Sequence, residues 1–285
     1  MRFEPHTSFS IIGAGRVGVS LGVLLKRAGH RIIGASGRSS ASLDRASSHI
    51  GCPSSTSFLD VIEGADAILI AVPDDVVAKV AEDLAGVQLE PGTVVLHAAG
   101  SIGLQPLVPL QTAGAQIVAA HVLQSVPDVE RGIERIPGSW FGVTCDDVMR
   151  DWSQGFVEAV GGRVLWLSDE ERDQYHLDAV IASNFLTVLA YLIEETGRDI
   201  APYLPLMSGT LANLEKLGPA NALTGPFARG DASTIARHLT RLGTDGAVRD
   251  AYVTLGLSAL AIAEGRGSIS ATQVSQIKSL LEGSG

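Results

Sequence analysis

The sequence predicts an α/β fold, in which a doubly wound, mostly parallel sheet is followed by an all-helical C-terminal domain. Three observations carry this prediction. An apolar strand at residues 9–12 runs into a glycine-rich turn and then into a helical pattern. Apolar runs of strand length alternate with helical patterns as far as residue 167, which is typical of βαβ units. From Ser168 onward every pattern is helical and none alternates with a period of two. We therefore place the two domains at residues 1–167 and 168–285.

Composition and charge limit the class of partner. The chain has 285 residues, of which 46% are hydrophobic and 18% are charged, which suits two folded domains. Its net charge is −10 without a basic cluster, so we expect no nucleic acid and no anionic membrane as partner.

The two cysteines, Cys52 and Cys145, lack metal-type spacing and indicate a reducing compartment. No apolar leader precedes residue 9, and the most apolar stretch, 179–193, is too short to span a bilayer. We expect a cytoplasmic protein.

The glycine-rich turn lies within residues 9–18, Phe-Ser-Ile-Ile-Gly-Ala-Gly-Arg-Val-Gly. A Gly-x-Gly-x-x-Gly spacing between a strand and a helix favours a dinucleotide-binding, Rossmann-type domain. The first glycine permits a tight turn, the second lets backbone approach a pyrophosphate, and the third lets the helix pack closely on the strand. The alternatives are a glycine turn in an unrelated α/β domain and a site for a flavin or a nucleotide sugar. The predicted cofactor contacts in this segment are Gly13, Ala14, Gly15, Arg16, Val17 and Gly18.

The end of the second predicted strand, at residues 31–35, indicates which dinucleotide binds. An NAD site usually carries Asp or Glu at this point, where the side chain accepts a hydrogen bond from the ribose 2′-hydroxyl. Here Ser36, Arg38 and Ser39 occupy the turn and no acid appears before Asp44. A guanidinium and hydroxyls suit a 2′-phosphate, so we favour NADP (NADPH) over NAD. The alternative is a solvated arginine in a turn.

The remaining strands of the first domain are predicted to bring their carboxyl ends to one edge of the sheet. Ligands of open α/β sheets bind outside such ends. Val72, His97 and His121 lie at the ends of three of these strands, and we assign Val72, Pro73 and His97 to the cofactor. The predicted strands are 66–72, 93–97, 116–121, 140–144 and 163–167, and the predicted helices are 19–28, 43–49, 58–62, 76–84, 104–110 and 147–160.

The second domain is predicted to begin with a long helix. Ser168 and Glu171 form a Ser-x-x-Glu capping box, and the helical pattern then runs to Glu195 and stops at Gly197. Residues 179–193 are apolar on nearly every face, so we expect this part of the helix to be buried all round. Further helices are predicted at 203–216, 231–242, 246–264 and 271–281, and residues 224–231 are predicted to form a loop.

Several motifs together resemble one bacterial family. They are the glycine turn, Ser-Gly-Arg-Ser at 36–39, Ala-Val-Pro-Asp-Asp at 71–75, His-Ala-Ala-Gly at 97–100, Tyr175-His176, Ser183-Asn184-Phe185 and Leu-Thr-Gly-Pro-Phe-Ala-Arg-Gly-Asp at 223–231. That family pairs a Rossmann-like domain with the helical domain of unknown function 2520. It is similar to the 6-phosphogluconate dehydrogenase-like enzymes, among them ketopantoate reductases, pyrroline-5-carboxylate reductases, 3-hydroxyacid dehydrogenases and deazaflavin-dependent NADP oxidoreductases. The resemblance implies an NADP-linked oxidoreductase of a small-molecule substrate, assembled as a homodimer through its helical domain.

The chain departs from these relatives in two places. The hydroxyacid and ketopantoate enzymes carry a catalytic lysine one turn before an asparagine on the long helix between the domains. Here Val180 stands four residues before Asn184, and none of the four lysines of the chain lies on this helix. The family also usually has His-Pro where this chain has His121-Val122. The first departure puts lysine-assisted ketone chemistry in doubt, and the second concerns the local turn alone.

Without that lysine, the candidate proton donors are His97, His121, His176 and Tyr175. Eight residues separate His176 from Asn184, which is about 80° around and about 12 Å along an α-helix, so both can line one groove. We expect His176 to be the proton donor, Asn184 to orient a substrate or carboxamide oxygen, and His121 to be the second choice of donor. Each also has a structural interpretation, as a histidine satisfied inside the fold or an amide bonded to a neighbouring loop.

The segment 224–231 is the candidate substrate-binding segment, with Thr224, Gly225, Pro226 and Arg229. Arg229 can clamp a substrate carboxylate. The alternative is an Arg229–Asp231 pair at the start of a helix. Three histidines also raise the possibility of a metal, but their spacings match no local ligand motif and we expect none.

Two functions therefore remain open. The first is an NADP-dependent reductase of a small ketone or imine that carries a carboxylate, with ketopantoate-like 2-oxo acids as the nearest guess. The second, suggested by the missing lysine, is a dinucleotide-binding sensor or regulatory dimer without turnover.

Overall fold

The computed structural model describes residues 1–283, and its first feature is an eight-stranded sheet. The strand order is β3-β2-β1-β4-β5-β6-β7-β8, and every neighbouring pair is parallel except β6–β7. The strands are β1 (Ser8–Ile12), β2 (Arg31–Ser36), β3 (Ser54–Ser55), β4 (Ala67–Ile70), β5 (Val94–His97), β6 (Gln116–Val122), β7 (Trp140–Cys145) and β8 (Arg163–Trp166). The chain order reverses between β1 and β4, which is the place where a doubly wound sheet opens a crevice for a ligand.

Both faces of the sheet are buried, which explains the nearly continuous apolar character of its strands. Phe9, Leu69 and Leu96 lie in one core cluster together with Trp152 and Phe156. Residues next to them in the strands point the other way, and Ile12, Ile68, Ile70 and Val95 form a second cluster with residues of the following helices. The predicted class, a mostly parallel doubly wound sheet followed by helices, is confirmed.

Six helices accompany the sheet within the described residues. They are α1 (Arg16–Arg27), α2 (Ser40–His49), α3 (Asp74–Ala85), α4 (Val108–Thr112), α5 (Val129–Arg135) and α6 (Arg150–Ala159). Two elements escaped the sequence analysis, the short strand β3 and helix α5, whose N-terminus is capped by Asp128 accepting from the Arg131 amide. The helix predicted at 58–62 is a single 3₁₀ turn, Phe58–Asp60.

A continuous helix follows, from Arg172 to Glu195. It consists of α7 (Arg172–Ala179), a π-helical segment (Val180–Asn184) and α8 (Phe185–Glu195). Of the predicted capping box, one half forms, since the Glu171 carboxylate accepts from the Ser168 amide at 2.8 Å. The chain divides into two compact units, Met1–Ser183 and a second unit that begins at Asn184. The predicted boundary at 167/168 stays a prediction.

The expectation that residues 179–193 are buried all round is wrong for this chain. Ile181 is 51% exposed and Phe185 is 52% exposed. An apolar periphery predicts burial without saying what covers it, and the described residues of this chain leave much of it exposed. By length and composition the 24-residue helix Arg172–Glu195 could also cross a membrane, so the expectation that this stretch is too short to do so is wrong.

The second unit is helical throughout its described part. After α8 come α9 (Leu204–Leu217), α10 (Pro219–Ala222), α11 (Gly225–Arg229), α12 (Ala232–Leu242), α13 (Ala247–Gly265) and α14 (Ala271–Glu282). Its core is formed by Ile235, Leu239, Leu260, Ile277 and Leu281. The loop predicted at 224–231 is wrong, because Gly225–Arg229 forms a short helix with Pro226 in its first turn, a position that suits proline.

Candidate functional site

The glycine turn after β1 has the geometry that its spacing predicts. Gly13 has φ +105°, and a Cβ there would lie 2.4 Å from the Ala71 carbonyl oxygen. A Cβ on Gly18 would lie 2.3 Å from the Gly13 carbonyl oxygen, so the third glycine lets α1 pack on the turn. A Cβ on Gly15 would meet no protein atom closer than 3.9 Å. The fold itself therefore demands the first and third glycines, whereas the second leaves open space beside the backbone.

Helix α1 begins next to that open space. Gly15 is its N-cap and provides no side-chain cap, so Arg16 and Val17 begin the helix with amides that no side chain caps. Such an N-terminus attracts anions. The amides of Gly13 and Ala14 donate instead to the Ser36 carbonyl, at 3.0 and 2.7 Å, and fasten the turn to the end of β2.

A cavity of about 440 Å³ extends from the glycine turn toward the end of β2. Ser39 caps α2 through a capping box with Ser42, and the first turn of α2 contains no acid. The exposed Arg38 stands at the same helix end. The one carboxylate in the lining, Asp83, is paired with Lys79 at 2.6 Å. The lining includes the predicted residues Gly13, Ala14, Gly15, Ser36, Arg38, Ser39, Val72 and Pro73. This end of the site is thus suited to an anionic group.

A second cavity, of about 520 Å³, extends from the glycine turn along the ends of β4, β5 and β6. The two cavities share Gly15 and residues 71–73. The ends of β4, β5 and β6 lie side by side in the sheet, as predicted, and Val72 and His121 line this cavity. His176 of α7, Asp74 and Gly100 line it as well. Gly100 separates the two rings, since a Cβ there would lie 2.9 Å from His176 Cδ2 and 3.0 Å from His121 Nε2.

His121 is held by Tyr175. Its Nδ1 lies 2.8 Å from the Tyr175 hydroxyl, and the two rings meet edge to face at 85°. Burial, and next the charge of Arg172, lower the pKa of His121 to about 4, so the ring is neutral at pH 7. His121 and His176 are therefore two imidazoles in one cavity, and the tautomer of the first is set by a neighbour.

His97 does not lie on either cavity. Its Nε2 is 2.8 Å from the Gly103 carbonyl, and its Nδ1 accepts from the Ala99 amide at 3.2 Å. The side chain is fully buried, and burial lowers its pKa to about 4. The predicted cofactor contact of His97 finds no support in this arrangement, because both ring nitrogens already hold the loop that follows β5.

Arg172 of α7 is buried under the end of the sheet with 1% of its surface exposed. Its Nε donates to Thr144 Oγ1 at 2.9 Å, and its Nη2 donates to the carbonyls of Ala119 and Gly142 at 3.0 and 3.1 Å. These bonds attach the start of α7 to β6 and β7, so they position both Tyr175 and His176.

Three further residues of the second cavity were missed by the sequence analysis. Arg45 of α2 donates from Nη1 to the Ala14 carbonyl at 2.8 Å, and Asp74 accepts from the Ser101 hydroxyl at 2.7 Å. Gln124 follows β6. The sequence could have indicated Asp74, because it closely follows a predicted strand, whereas nothing in the sequence marks Arg45 or Gln124.

The predicted residues of the second unit were not brought into a recognisable site. Asn184 is exposed and ends the π-helical segment, so the angle of about 80° that α-helical geometry predicts between His176 and Asn184 does not apply. Arg229 is exposed, and in the described part of the chain it makes no ion pair with Asp231. Asp231 caps α12 by accepting from the Thr234 amide at 3.0 Å. Thr224 lines a separate cavity within this unit, and the substrate role of Thr224, Gly225, Pro226 and Arg229 stays a prediction.

Within residues 1–283, no group of three or more His, Cys, Asp or Glu side chains is placed to hold a metal ion.

Comparison with known families identifies both parts of the chain. A model of a Rossmann-like domain matches residues 3–122, and a model of a domain of unknown function, DUF2520, matches residues 139–259. None of the curated proteins compared with the chain matches it.

Solved structures share the fold. A Bacteroides fragilis protein described as a candidate NADP oxidoreductase is 23% identical, with a TM-score of 0.74 over 90% of this chain and 98% of that one. A Thermotoga maritima protein is 24% identical, with a TM-score of 0.70 over 90% and 99%. A pyrroline-5-carboxylate reductase from Coxiella burnetii is 20% identical, with a TM-score of 0.54 over 96% and 98%. At these identities the likeness is one of fold.

Proposed function

Because the chain belongs to the family that joins a Rossmann-like domain to the domain of unknown function DUF2520, we propose that it is an NADP-dependent oxidoreductase. It transfers a hydride between the nicotinamide and a small ketone or imine that carries a carboxylate, and the substrate we would test first is a ketopantoate-like 2-oxo acid. The observation that carries this proposal is the pair of cavities that meet at Gly15. One ends at Arg38 and the other ends at His121 and His176.

The residues present fit a dinucleotide. A Cβ at position 15 would fill the space next to the free end of α1, where a pyrophosphate would lie. Arg38, the hydroxyls of Ser39 and Ser42, and the acid-free start of α2 would hold the 2′-phosphate of NADP. The name of the Bacteroides fragilis relative supports the same cofactor.

Bound NADPH would supply the hydride. The chain's own residues then act on the substrate. His176 and His121 are the polar rings available to stabilise or protonate the atom that becomes negative, and the Asp74–Ser101 bond fixes the loop that carries Gly100. Asn184 as an orienting group and Arg229 as a carboxylate clamp are part of the same proposal.

Calorimetric titration tests the cofactor assignment. We expect NADPH to bind more tightly than NADH. Arg38→Ala should weaken the binding of NADPH by about 10- to 100-fold, which corresponds to the loss of one or two charge-assisted hydrogen bonds, and should have little effect on the binding of NADH. The matched control is Arg31→Ala, because Arg31 is exposed and begins the strand that Arg38 follows. NADPH binding that is absent, or insensitive to Arg38→Ala, contradicts the assignment.

We also propose that the protein is a cytoplasmic homodimer assembled through its helical part. Apolar side chains project from α8 and α9, among them Phe185, Val188, Leu206 and Leu211, and Leu206 is 69% exposed. An apolar surface of this kind marks an interface. Light scattering after size-exclusion chromatography should give twice the monomer mass, whereas a monodisperse monomer, or a protein recovered with membranes, contradicts the proposal.

The alternative is a dinucleotide-binding sensor without turnover, which the absence of lysine from the long helix favours. A panel of 2-oxo acids and cyclic imines offered with NADPH decides between the two. Oxidation of NADPH above background that is lost in His176→Ala eliminates the sensor.

A further inference from the structure

We propose that Tyr175 is a positioning residue that holds His121 in a single neutral tautomer, with the proton on Nε2. The cavity then contains a fixed, uncharged hydrogen-bond donor, and the group that the enzyme reduces is a carbonyl rather than a protonated imine. This inference rests on the proposed function for its substrate, but the tautomer is a property of the chain alone.

Tyr175 is built into the fold for this contact. It is 7% exposed and stands on α7, one turn after the buried Arg172 that fastens this helix to the sheet. Its ring lies against Gly142, where a Cβ would be 2.7 Å from Cζ and 2.9 Å from the hydroxyl. Any larger residue at position 142 would push the phenol away from His121.

The direction of the Tyr175–His121 hydrogen bond follows from the acceptors within reach. The phenol hydroxyl lies 2.8 Å from His121 Nδ1 and 3.5 Å from the His121 carbonyl oxygen, and the second distance is at the limit of a hydrogen bond. Burial raises the pKa of Tyr175, so the phenol keeps its proton and donates it to Nδ1. A neutral imidazole that accepts at Nδ1 carries its proton on Nε2.

Nε2 is the nitrogen that faces the cavity. A Cβ on Gly100, a residue of the cavity lining, would lie 3.0 Å from it. The charged and titratable groups around His121 are Arg172, His176, His97 and Asp74, and burial together with the arginine outweighs the aspartate in keeping the ring uncharged. The donor is thus present at neutral pH without a positive charge, which is how a neutral imidazole polarises a carbonyl.

This donor discriminates between the two substrate classes left open above. A carbonyl oxygen accepts the Nε2–H bond, and the bond strengthens as negative charge develops on the oxygen. A protonated imine carries an N–H of its own, so this N–H and the His121 Nε2–H would face each other without an acceptor. The bound substrate has displaced the water that could accept from either of them. The chain is therefore expected to differ from the pyrroline-5-carboxylate reductase that shares its fold, whose name implies a cyclic imine.

Long-range ¹⁵N NMR of the histidine side chains in the full-length protein tests the tautomer. His121→Gln assigns the signal of His121. In the wild-type protein we expect the Nε2–H pattern, and in Tyr175→Phe we expect its loss in favour of mixed tautomers. Tyr252→Phe is the matched control, because Tyr252 makes the same bond to His238 at 2.9 Å in the second unit. An Nδ1–H pattern in the wild type, or an unchanged pattern in Tyr175→Phe, overturns the role of Tyr175.

A second measurement tests the substrate class. NADPH oxidation is followed with 2-oxo acids and with cyclic imine carboxylates, and we expect turnover with the former alone. Turnover of imines, or of neither class, overturns the carbonyl assignment. Failure of NADPH to bind is a separate outcome, since it removes the proposed function and leaves the NMR result standing.

Discussion

Two tyrosine–histidine pairs of nearly the same geometry occur in the chain, one in each compact unit. The Tyr175 hydroxyl lies 2.8 Å from His121 Nδ1, and the Tyr252 hydroxyl lies 2.9 Å from His238 Nδ1. The rings are 5.6 and 5.7 Å apart, and both pairs meet edge to face at 85°. The local bond alone therefore does not distinguish a functional residue from a structural one.

The surroundings distinguish the two pairs. His121 lines a cavity and has Arg172 and a second histidine near it, and burial lowers its pKa to about 4. His238 is exposed on α12, and Tyr252 packs on Phe227 in the core of a helical unit. The hydrogen bond from tyrosine sets the tautomer of His121, whereas burial and neighbouring charge shift its pKa.

The largest expected difference between the pairs is in turnover. His121→Leu removes the proposed donor to the developing oxyanion, and loss of one such donor lowers kcat by about 100- to 1000-fold. His238→Leu should leave kcat unchanged. Steady-state kinetics with the best 2-oxo acid measures both variants, and equal effects on the two would break the distinction between the pairs.

The next largest effect is expected in the pH dependence of stability, to which His121 of the first pair contributes. The pKa of the fully buried His97 is lowered from 6.5 to about 4, and that of His121 likewise. The unfolded chain therefore binds these protons at a higher pH than the folded chain does. The contribution of these neutral rings to the free energy of unfolding is fully present above pH 6.5 and is lost as the pH falls toward 4. For His97 the loss is about 3 kcal/mol.

Urea unfolding at pH 7 and pH 4.5, followed by circular dichroism, measures this loss. The fall in the urea midpoint should be smaller in His121→Gln than in the wild type, because this variant lacks one of the two buried rings. A midpoint that is the same at both pH values contradicts the burial of His97 and His121 as neutral rings.

A smaller effect is expected from filling the space between His121 and His176. The Cβ of Gly100→Ala would displace one or both rings, and overpacking of this kind costs about 1 to 3 kcal/mol. The matched control is Gly86→Ala, whose Cβ would meet its nearest atom at 3.4 Å. Thermal unfolding of the two variants should show destabilisation in the first and little change in the second. The reverse order would mean that the rings do not converge on residue 100.

The sequence predicts those parts of the site that depend on periodicity. Carboxyl ends of parallel strands share one edge of a sheet, so the approach of Gly13, Val72 and His121 follows from recognising the strands. The glycine spacing likewise predicts which two glycines the fold needs, and the structure agrees at Gly13 and Gly18.

Contacts between distant side chains follow no such rule. Tyr175 and His121 are 54 residues apart, and their bond depends on Gly142 making room. The contact of Arg45 with the Ala14 carbonyl joins α2 to the glycine turn, and no spacing in the sequence marks it. The burial expected for residues 179–193 failed for another reason, since periodicity shows that a surface needs a partner and does not say where the partner is.

The central claim is that one dinucleotide occupies both cavities and that its nicotinamide lies beside His121, the histidine that Tyr175 holds. A crystal structure of the protein with NADPH tests it most directly. We expect the 2′-phosphate against Arg38, the pyrophosphate beside Gly15 and the nicotinamide in the cavity lined by His121 and His176. A nicotinamide outside that cavity, or no NADPH in the crystal at saturating concentration, would contradict this claim.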